Sequence, residues 1–99
     1  MPDLDTQAGE ASATVLVVNK RGLHARASAK FVNAVAKLPP GVEVRVDKDG
    51  ASAAGGSILG LMMLGAAKGD TIEICVSGDG AEAALMKLAG LVKDGFGED

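Results

Sequence analysis

Two short segments of the chain alternate strictly between apolar and polar residues, and this alternation restricts the fold more than any other feature. Residues 42–47 read VEVRVD, and residues 71–76 read TIEICV. Because successive side chains of a β-strand point to opposite faces, each segment presents one apolar face and one polar face. Such strands fit an antiparallel sheet that has one covered face and one face in water.

Turn residues and β-branched runs predict two further strands. Residues 13–18 read ATVLVV, a short β-branched run that is typical of a strand. Residues 48–50 read KDG, a strong hairpin signal, so a weak strand over residues 51–54 should pair with the segment before it. Leu16 and Val18 place apolar side chains on both faces of the first strand, and the sequence does not show what covers the outer ones.

Apolar residues at helical spacing predict three helices. The first covers residues 25–38 and ends at the Pro-Pro-Gly sequence of residues 39–41. A short helix is predicted over residues 57–63, and a third covers residues 81–93 with Gly95 as its stop. The expected buried residues of the first and third helices are Phe31, Val32, Val35, Leu38, Ala81, Leu85, Leu88 and Val92.

The order of these elements is strand, helix, strand, strand, helix, strand, helix. It predicts an α+β domain in which a four-stranded antiparallel sheet carries all three helices on one face. We expect this domain to span residues 13–95. Residues 1–12 are acidic and lack periodicity, so we expect a disordered extension there, and we expect residues 96–99 to be frayed.

The composition of the chain argues against several classes of function. Its 99 residues carry a net charge of −3 and include two Phe but no Trp or Tyr, which is atypical of a nucleic-acid binder. Cys75 is the single cysteine, so an internal disulfide is excluded, and a free thiol fits a reducing cytoplasm. The longest apolar run, residues 58–67, is too short to span a bilayer, and the first residues do not resemble a signal peptide. We therefore expect a cytoplasmic protein that neither binds nucleic acid nor inserts into a membrane.

The chain contains one histidine, His24, at the start of the first predicted helix. A metal site needs several ligands, and the chain has neither a second histidine nor a cysteine pair. A hydrolytic triad also needs a nucleophile and an acid; Ser28 lies one helical turn away, but no acidic residue is near in sequence. General-base catalysis on a small substrate stays open as an alternative. A transient phosphoryl acceptor, by contrast, requires only one imidazole.

The position of His24 favours the phosphoryl-acceptor hypothesis. A helix N-terminus disfavours the imidazolium, and it offers unpaired backbone N–H groups to phosphoryl oxygens after transfer. Arg26 is close enough in sequence to add a charge-assisted contact. The alternative interpretation is that His24 only begins the helix and that Arg26 is solvated.

Two segments resemble the signatures of a known family. GLHARASAKFV, residues 22–32, resembles the active-site segment of the HPr phosphocarrier family of bacterial phosphoenolpyruvate-dependent phosphotransferase systems. GSILGLMMLGAAKGD, residues 56–70, resembles that family's second signature. The resemblance implies an open-faced β-sandwich of βαββαβα order. It also implies that His24 accepts the phosphoryl group through Nδ1 and that Arg26 helps to hold and transfer it.

The resemblance further implies partners and a type of activity. Phosphorylated enzyme I would be the donor and an enzyme IIA-type domain the acceptor, so the protein would be a stoichiometric carrier rather than an enzyme. It would act as a monomer and without cofactor or metal. Ala27 stands where the family often has proline, which is similar to the nitrogen-related NPr branch. A purely regulatory protein-binding module of the same fold is the alternative; it would be marked by loss of His24 or Arg26, and both are present.

Ser57 opens the apolar run of the second signature. Serine is a favoured helix N-cap, so a structural role is expected on physical grounds alone. The resemblance adds phosphorylation of Ser57 by an HPr kinase/phosphorylase. Family members under this control often have a basic residue directly before the serine, whereas residues 55–56 are glycines in this chain.

The helix after Ser57 is too short to bury all its apolar side chains, so we expect some to stay exposed. In the family, apolar residues at these positions dock onto partner proteins. Together with a basic stripe on the first helix, they form the predicted contact surface: Ile58, Leu59 and Met62, with Arg26, Lys30 and Lys37.

Overall fold

Four antiparallel strands form one sheet in the order β1-β4-β2-β3. The computed structural model describes residues 9–98. The strands are β1 (Glu10–Leu16), β2 (Glu43–Lys48), β3 (Ala51–Ala54) and β4 (Thr71–Ser77). The helices are α1 (Ala25–Ala36), α2 (Ile58–Met63) and α3 (Ala81–Lys93), and a 3-10 turn follows at Gly95–Gly97. This order confirms the predicted α+β fold.

The strand register explains why the two alternating segments predicted the sheet so well. β2 and β4 are neighbours, and Val46 lies opposite Ile74 while Val44 lies opposite Val76. Cross-strand pairs of β-branched residues stabilise a sheet by packing on the same face. Val46 and Ile74 are fully buried beneath the helices, so the alternation does mark the covered face.

The helices cover this face with small and aliphatic side chains around two aromatic rings. The residues expected to be buried in α1 and α3 are buried or half-buried, and Ala27, Ser28, Ala84 and Ala89 join them. α1 ends at Ala36 rather than Leu38, because Lys37 already forms its C-cap. No helix within residues 9–98 is long and apolar enough to cross a membrane.

The first strand begins earlier than predicted, at Glu10 instead of Ala13. Its first three residues pair with Ser77, Val76 and Cys75 of β4. They were missed because Glu10 and Ser12 are exposed polar residues and Ala11 is small, so they carry little hydrophobic signal, although their backbone groups complete the ladder. The rest of the predicted extension, residues 1–8, lies outside the described residues. Leu16 and Val18 stay 50% and 39% exposed.

The segment after α3 also differs from the prediction, because residues 96–98 are not frayed. Phe96 is 1% exposed and belongs to the core. Gly95, Phe96 and Gly97 all have positive φ, at 65°, 59° and 71°. Left-handed backbone is costly for phenylalanine and easy for glycine, so two glycines and a buried ring together allow this reversal. The turn carries Glu98 back towards the start of α1.

Candidate functional site

His24 is the N-cap of α1, with extended backbone angles of φ −75° and ψ −176°. Its ring atom Nδ1 lies 3.4 Å from the backbone nitrogen of Arg26. Because a backbone N–H can only donate, Nδ1 faces the helix N-terminus with its lone pair. The side chain is 21% exposed, so the ring is partly open to solvent.

The second ring nitrogen of His24 contacts a carboxylate that the sequence did not reveal. Nε2 lies 3.2 Å from Oε1 and 3.1 Å from Oε2 of Glu98, which is 74 residues further along the chain. No acidic residue lies near His24 in sequence, and the fold supplies one from a distant part of the chain. The hydrogen bond from the His24 ring, supported by one from Asn19, lowers the pKa of Glu98 below its usual value, so Glu98 is a carboxylate at neutral pH.

Two hydrogen bonds fix the segment that carries Glu98. The buried Asn19 amide donates from Nδ2 to Glu98 Oε1 at 3.1 Å and to the Gly22 carbonyl at 2.9 Å. Lys30 of α1 donates from Nζ to the Phe96 carbonyl at 2.7 Å. The loop before His24 thus holds the Glu98 carboxylate, and α1 holds the backbone of the same segment.

The loop before His24 packs directly on the loop that follows α2. The Leu23 N–H donates to the Ala66 carbonyl at 3.0 Å. Gly22 has a φ of 59°, and a Cβ at this position would overlap the Ala66 carbonyl oxygen. Glycine is therefore required at residue 22 both by its backbone conformation and by space. This contact joins the two segments that resembled family signatures.

A shallow depression around His24 and Glu98 is rich in basic side chains. Lys20, Arg21, Arg26 and Lys30 line it, which are four of the ten Lys and Arg residues in a chain of net charge −3. Convergent cations raise the local affinity for anions. Arg26 and Lys30 were predicted from the sequence, whereas Lys20 and Arg21 lie in a loop without periodicity. Lys37 is at the far end of α1, roughly 20 Å along the helix axis, and does not line the depression.

Ser28 cannot serve as a nucleophile beside His24. It is fully buried, and its hydroxyl donates to the Leu23 carbonyl at 3.1 Å. The acid partner that a hydrolytic triad needs is present in Glu98, but an exposed nucleophile is not provided by Ser28. Ser28 therefore does not complete a hydrolytic triad with His24 and Glu98.

Ser57 is the N-cap of α2, as predicted. Its Oγ accepts a hydrogen bond from the Gly60 backbone N–H at 2.9 Å. The six-residue helix buries Leu61 completely, and Leu64 after it is 8% exposed. Four apolar side chains on the other side of this helix stay exposed: Ile58 at 41%, Leu59 at 67%, Met62 at 40% and Met63 at 77%. The expected exposure is confirmed, and Met63, absent from the predicted contact surface, is its most exposed member.

A separate group of ionisable side chains lies on the open face of the sheet, away from His24. Arg45 and Asp47 form an ion pair at 3.0 Å, and Ser52 donates to the same carboxylate at 2.7 Å. These two hydrogen bonds, that from Arg45 first, lower the pKa of Asp47, while desolvation raises the pKa of Cys75. The carboxylate oxygens of Asp47 and Glu73 and the Sγ atom of Cys75 lie within 4.8 Å of one another, as the ligands of a metal ion would. The Asp47 carboxylate, however, already accepts hydrogen bonds from Arg45.

In this α+β domain, one imidazole lies at a helix N-terminus among basic side chains, in an open depression, and this arrangement suits a small domain that binds an anionic group at its surface. The sequence comparisons agree with this. The family model described as "PTS HPr component phosphorylation site" matches residues 11–94. The chain belongs to the HPr family, the phosphocarriers of the phosphotransferase system.

Relatives and solved structures extend this assignment over most of the chain. The phosphocarrier protein HPr of Neisseria meningitidis is 42% identical over 85 residues, covering 86% of this chain and 93% of that protein. The phosphocarrier protein NPr of Escherichia coli is 37% identical over 86 residues, covering 87% and 94%. The crystal structure of HPr-C-His from Thermoanaerobacter tengcongensis superposes with a TM-score of 0.83 at 35% identity, covering 90% of this chain and 98% of that one. The fold predicted from the resemblance is confirmed.

Proposed function

We propose that this protein carries a phosphoryl group on Nδ1 of His24, between phosphorylated enzyme I and an enzyme IIA-type domain. The observation that carries the proposal is the placement of Nδ1 at the N-terminus of α1, with its lone pair facing the Arg26 N–H. An unprotonated ring nitrogen in this position is a nucleophile. The phosphoryl group that it accepts would lie at the helix N-terminus, where backbone N–H groups stabilise negative charge.

The transfer exchanges one N–P bond for another. His24 Nδ1 attacks the phosphorus of the donor's phosphohistidine, the new N–P bond forms, and the donor imidazole leaves with the electron pair of the broken bond. No net hydrolysis occurs, and no cofactor is consumed. The protein's part is to orient the nucleophile and to stabilise the charge on the phosphoryl oxygens.

The surroundings of His24 suit the phosphorylated state. The unpaired N–H groups of the first turn of α1 can donate to the phosphoryl oxygens in place of the weak contact to Nδ1. The guanidinium of Arg26 adds a charge-assisted contact, and Lys20 and Arg21 increase the positive potential of the same depression. The open surface then lets an acceptor histidine approach the same phosphorus atom.

We propose that donor and acceptor bind one shared surface in turn. It consists of the exposed apolar residues of α2 and the basic side chains around His24, including Lys30. A surface used by two partners in succession requires transient complexes, and the carrier acts as a monomer. The single thiol suits the reducing cytoplasm, in which we place this relay.

We propose that Ser57 is a regulatory site whose phosphorylation weakens partner docking. Its hydroxyl caps α2 directly beside Ile58 and Leu59. A phosphoryl group there would add nearly two negative charges next to the docking residues. An HPr kinase/phosphorylase is the proposed modifying enzyme.

The test is to incubate the protein with phosphoenolpyruvate and a catalytic amount of enzyme I and to weigh the intact chain. We expect a gain of one phosphoryl group that requires enzyme I, is labile in acid and stable in base, and maps to His24. A matched sample without enzyme I is the control. The alternative of a purely regulatory module predicts that partners bind while no phosphoryl group is gained, and that result would overturn the proposal.

A further inference from the structure

We infer that Glu98, held by Asn19, is a positioning residue that fixes the tautomer of His24 and stabilises the ring during transfer. This inference rests on the proposed function of His24. It assigns a role to the segment after α3, which resembled a frayed tail in the sequence.

The hydrogen-bond geometry selects one tautomer of the neutral ring. Both oxygens of Glu98 lie 3.1–3.2 Å from Nε2, and a carboxylate can only accept, so the proton sits on Nε2. The contact between Nδ1 and the Arg26 N–H independently requires Nδ1 to be the acceptor. Two contacts, one from the first turn of α1 and one from the segment after α3, therefore leave the lone pair on the same nitrogen.

Glu98 is held firmly enough to keep this orientation. Asn19, 2% exposed, donates to one of its oxygens, and the buried ring of Phe96 anchors the backbone two residues earlier. Lys30 binds the Phe96 carbonyl at 2.7 Å, which ties the same segment to α1. A carboxylate fixed in this way orients the imidazole ring without reorganisation during the reaction.

The charge of Glu98 matters most while the bond to phosphorus is forming or breaking. When Nδ1 attacks, the ring that keeps its proton on Nε2 becomes cationic, and the adjacent carboxylate stabilises that charge. The acid of a hydrolytic triad acts on its histidine in the same way. Because Glu98 contacts Nε2 and the phosphoryl group forms on Nδ1, the two negative groups lie on different sides of the ring.

The experiment compares Glu98→Gln, Glu98→Asp and a matched control, Glu82→Gln, which removes the same charge from an exposed position in the first turn of α3. The single histidine gives an unambiguous ¹⁵N NMR signal for the tautomer, measured in the unphosphorylated protein. Single-turnover uptake from phosphorylated enzyme I gives the transfer rate and the half-saturating concentration.

We expect the wild type and Glu82→Gln to show the Nε2–H tautomer and equal rates. Glu98→Gln should shift part of the population to the Nδ1–H tautomer, because a glutamine amide can donate to Nε2 as well as accept from it. It should transfer about tenfold more slowly at saturation, as expected for loss of one charge-assisted hydrogen bond. Its half-saturating concentration should not change. Glu98→Asp keeps the charge on a shorter arm and should fall between the two.

The outcomes separate this inference from the proposed function. Wild-type tautomer and rate in Glu98→Gln, or faster transfer in that variant, would show that Glu98 does not assist His24, although uptake at His24 would still stand. If the wild type takes up no phosphoryl group, the proposed function fails, and so does the role of Glu98 in transfer.

Discussion

The N-termini of α1 and α2 are both capped by a side chain, yet the two caps differ in strength. Ser57 Oγ accepts from the Gly60 N–H at 2.9 Å, an ordinary hydrogen bond, whereas His24 Nδ1 lies 3.4 Å from the Arg26 N–H. The serine thus provides a good acceptor for one of the free backbone N–H groups at the start of α2. The long contact of the histidine leaves the N–H groups of α1 able to bind an incoming anion and leaves the lone pair of Nδ1 available as a nucleophile.

The two helices can accept this difference because of their lengths. α1 has 12 residues and buries Ala27 and Phe31, so packing stabilises it without a strong cap. α2 has six residues and buries only Leu61. Short helices are marginal by themselves, so α2 depends more on its cap. The weak cap thus belongs to the helix that can do without it.

The largest expected effect is at the weak cap. His24→Ala should abolish phosphoryl uptake from phosphoenolpyruvate and enzyme I, because no other histidine can accept the group. The fold should remain, as judged by circular dichroism. Ser57→Ala, which removes the strong cap, is the matched control and should be phosphorylated at a rate near that of the wild type. Full labelling of His24→Ala would disprove the proposed acceptor.

Arg26→Ala should give the second-largest effect. Loss of its charge beside the phosphoryl group should slow transfer by roughly one to three powers of ten. Arg26→Lys should recover part of the rate, because it keeps a charge without the planar fork. Lys37→Ala removes a positive charge at the other end of α1 and should leave the rate unchanged. Equal transfer kinetics in Arg26→Ala and the wild type would show that Arg26 is a solvated residue without a role in transfer.

Negative charge at the strong cap should impair docking rather than chemistry. Ser57→Asp and Leu59→Asp should each raise the half-saturating concentration for phosphoryl uptake by roughly tenfold, about 1.4 kcal/mol of docking free energy. Aspartate is itself a good N-cap, so Ser57→Asp should fold normally. Met86→Asp places the same charge on an exposed apolar position of α3 and serves as the control. Wild-type kinetics in both test variants would mean that partners do not dock on α2.

The difference between the caps should also appear in stability. Ser57→Ala should lower the free energy of unfolding by about 1 kcal/mol, the usual effect of a lost N-cap. His24→Ala should lower it by less, because its capping contact is long. Urea denaturation of both variants measures this directly. A larger loss in His24→Ala would show that the ring supports the fold more than its geometry indicates.

The smallest expected effect is on the pH dependence of stability. The pKa of Glu98 is lowered in the folded protein, first by its hydrogen bond from His24. The folded state therefore binds fewer protons at Glu98 than the unfolded state does near the pKa. The resulting contribution of Glu98 to the free energy of unfolding is present above the unfolded pKa of about 4.5, and it is lost as the pH falls through the lower pKa of the folded state. Glu98→Gln should flatten the acid limb of stability against pH, measured by urea denaturation. An unchanged acid limb would show that Glu98 has no such role.

The sequence predicted those parts of the molecule whose signals are local. Alternation in β2 and β4 and helical spacing in α1 and α3 reflect burial against the core, so the elements and their order followed directly. The strong cap was predicted too, because serine before an apolar run is a local pattern. Leu16 and Val18 looked unusual in the sequence and are indeed partly exposed.

The missed features depend on contacts between distant residues. Glu98 lies in a glycine-rich acidic segment that resembles a loose tail, and only the left-handed turn around Phe96 brings it to His24. Asn19 looked like an ordinary loop residue, although it is buried and binds Glu98. No periodic pattern records such contacts, because they are set by the path of the whole chain.

The pairing of β1 with β4 has a consequence for how the protein is made. A ribosome releases β1 and His24 early, but within residues 9–98 the only strand that pairs with β1 is β4, and His24 contacts a residue synthesised 74 positions later. β2, β3 and α2 are therefore synthesised before β4, the strand with which β1 pairs. Pairing between strands so far apart in sequence slows folding. Partners in the cell would accordingly meet a complete His24 site only after α3 and the turn that follows it have left the ribosome.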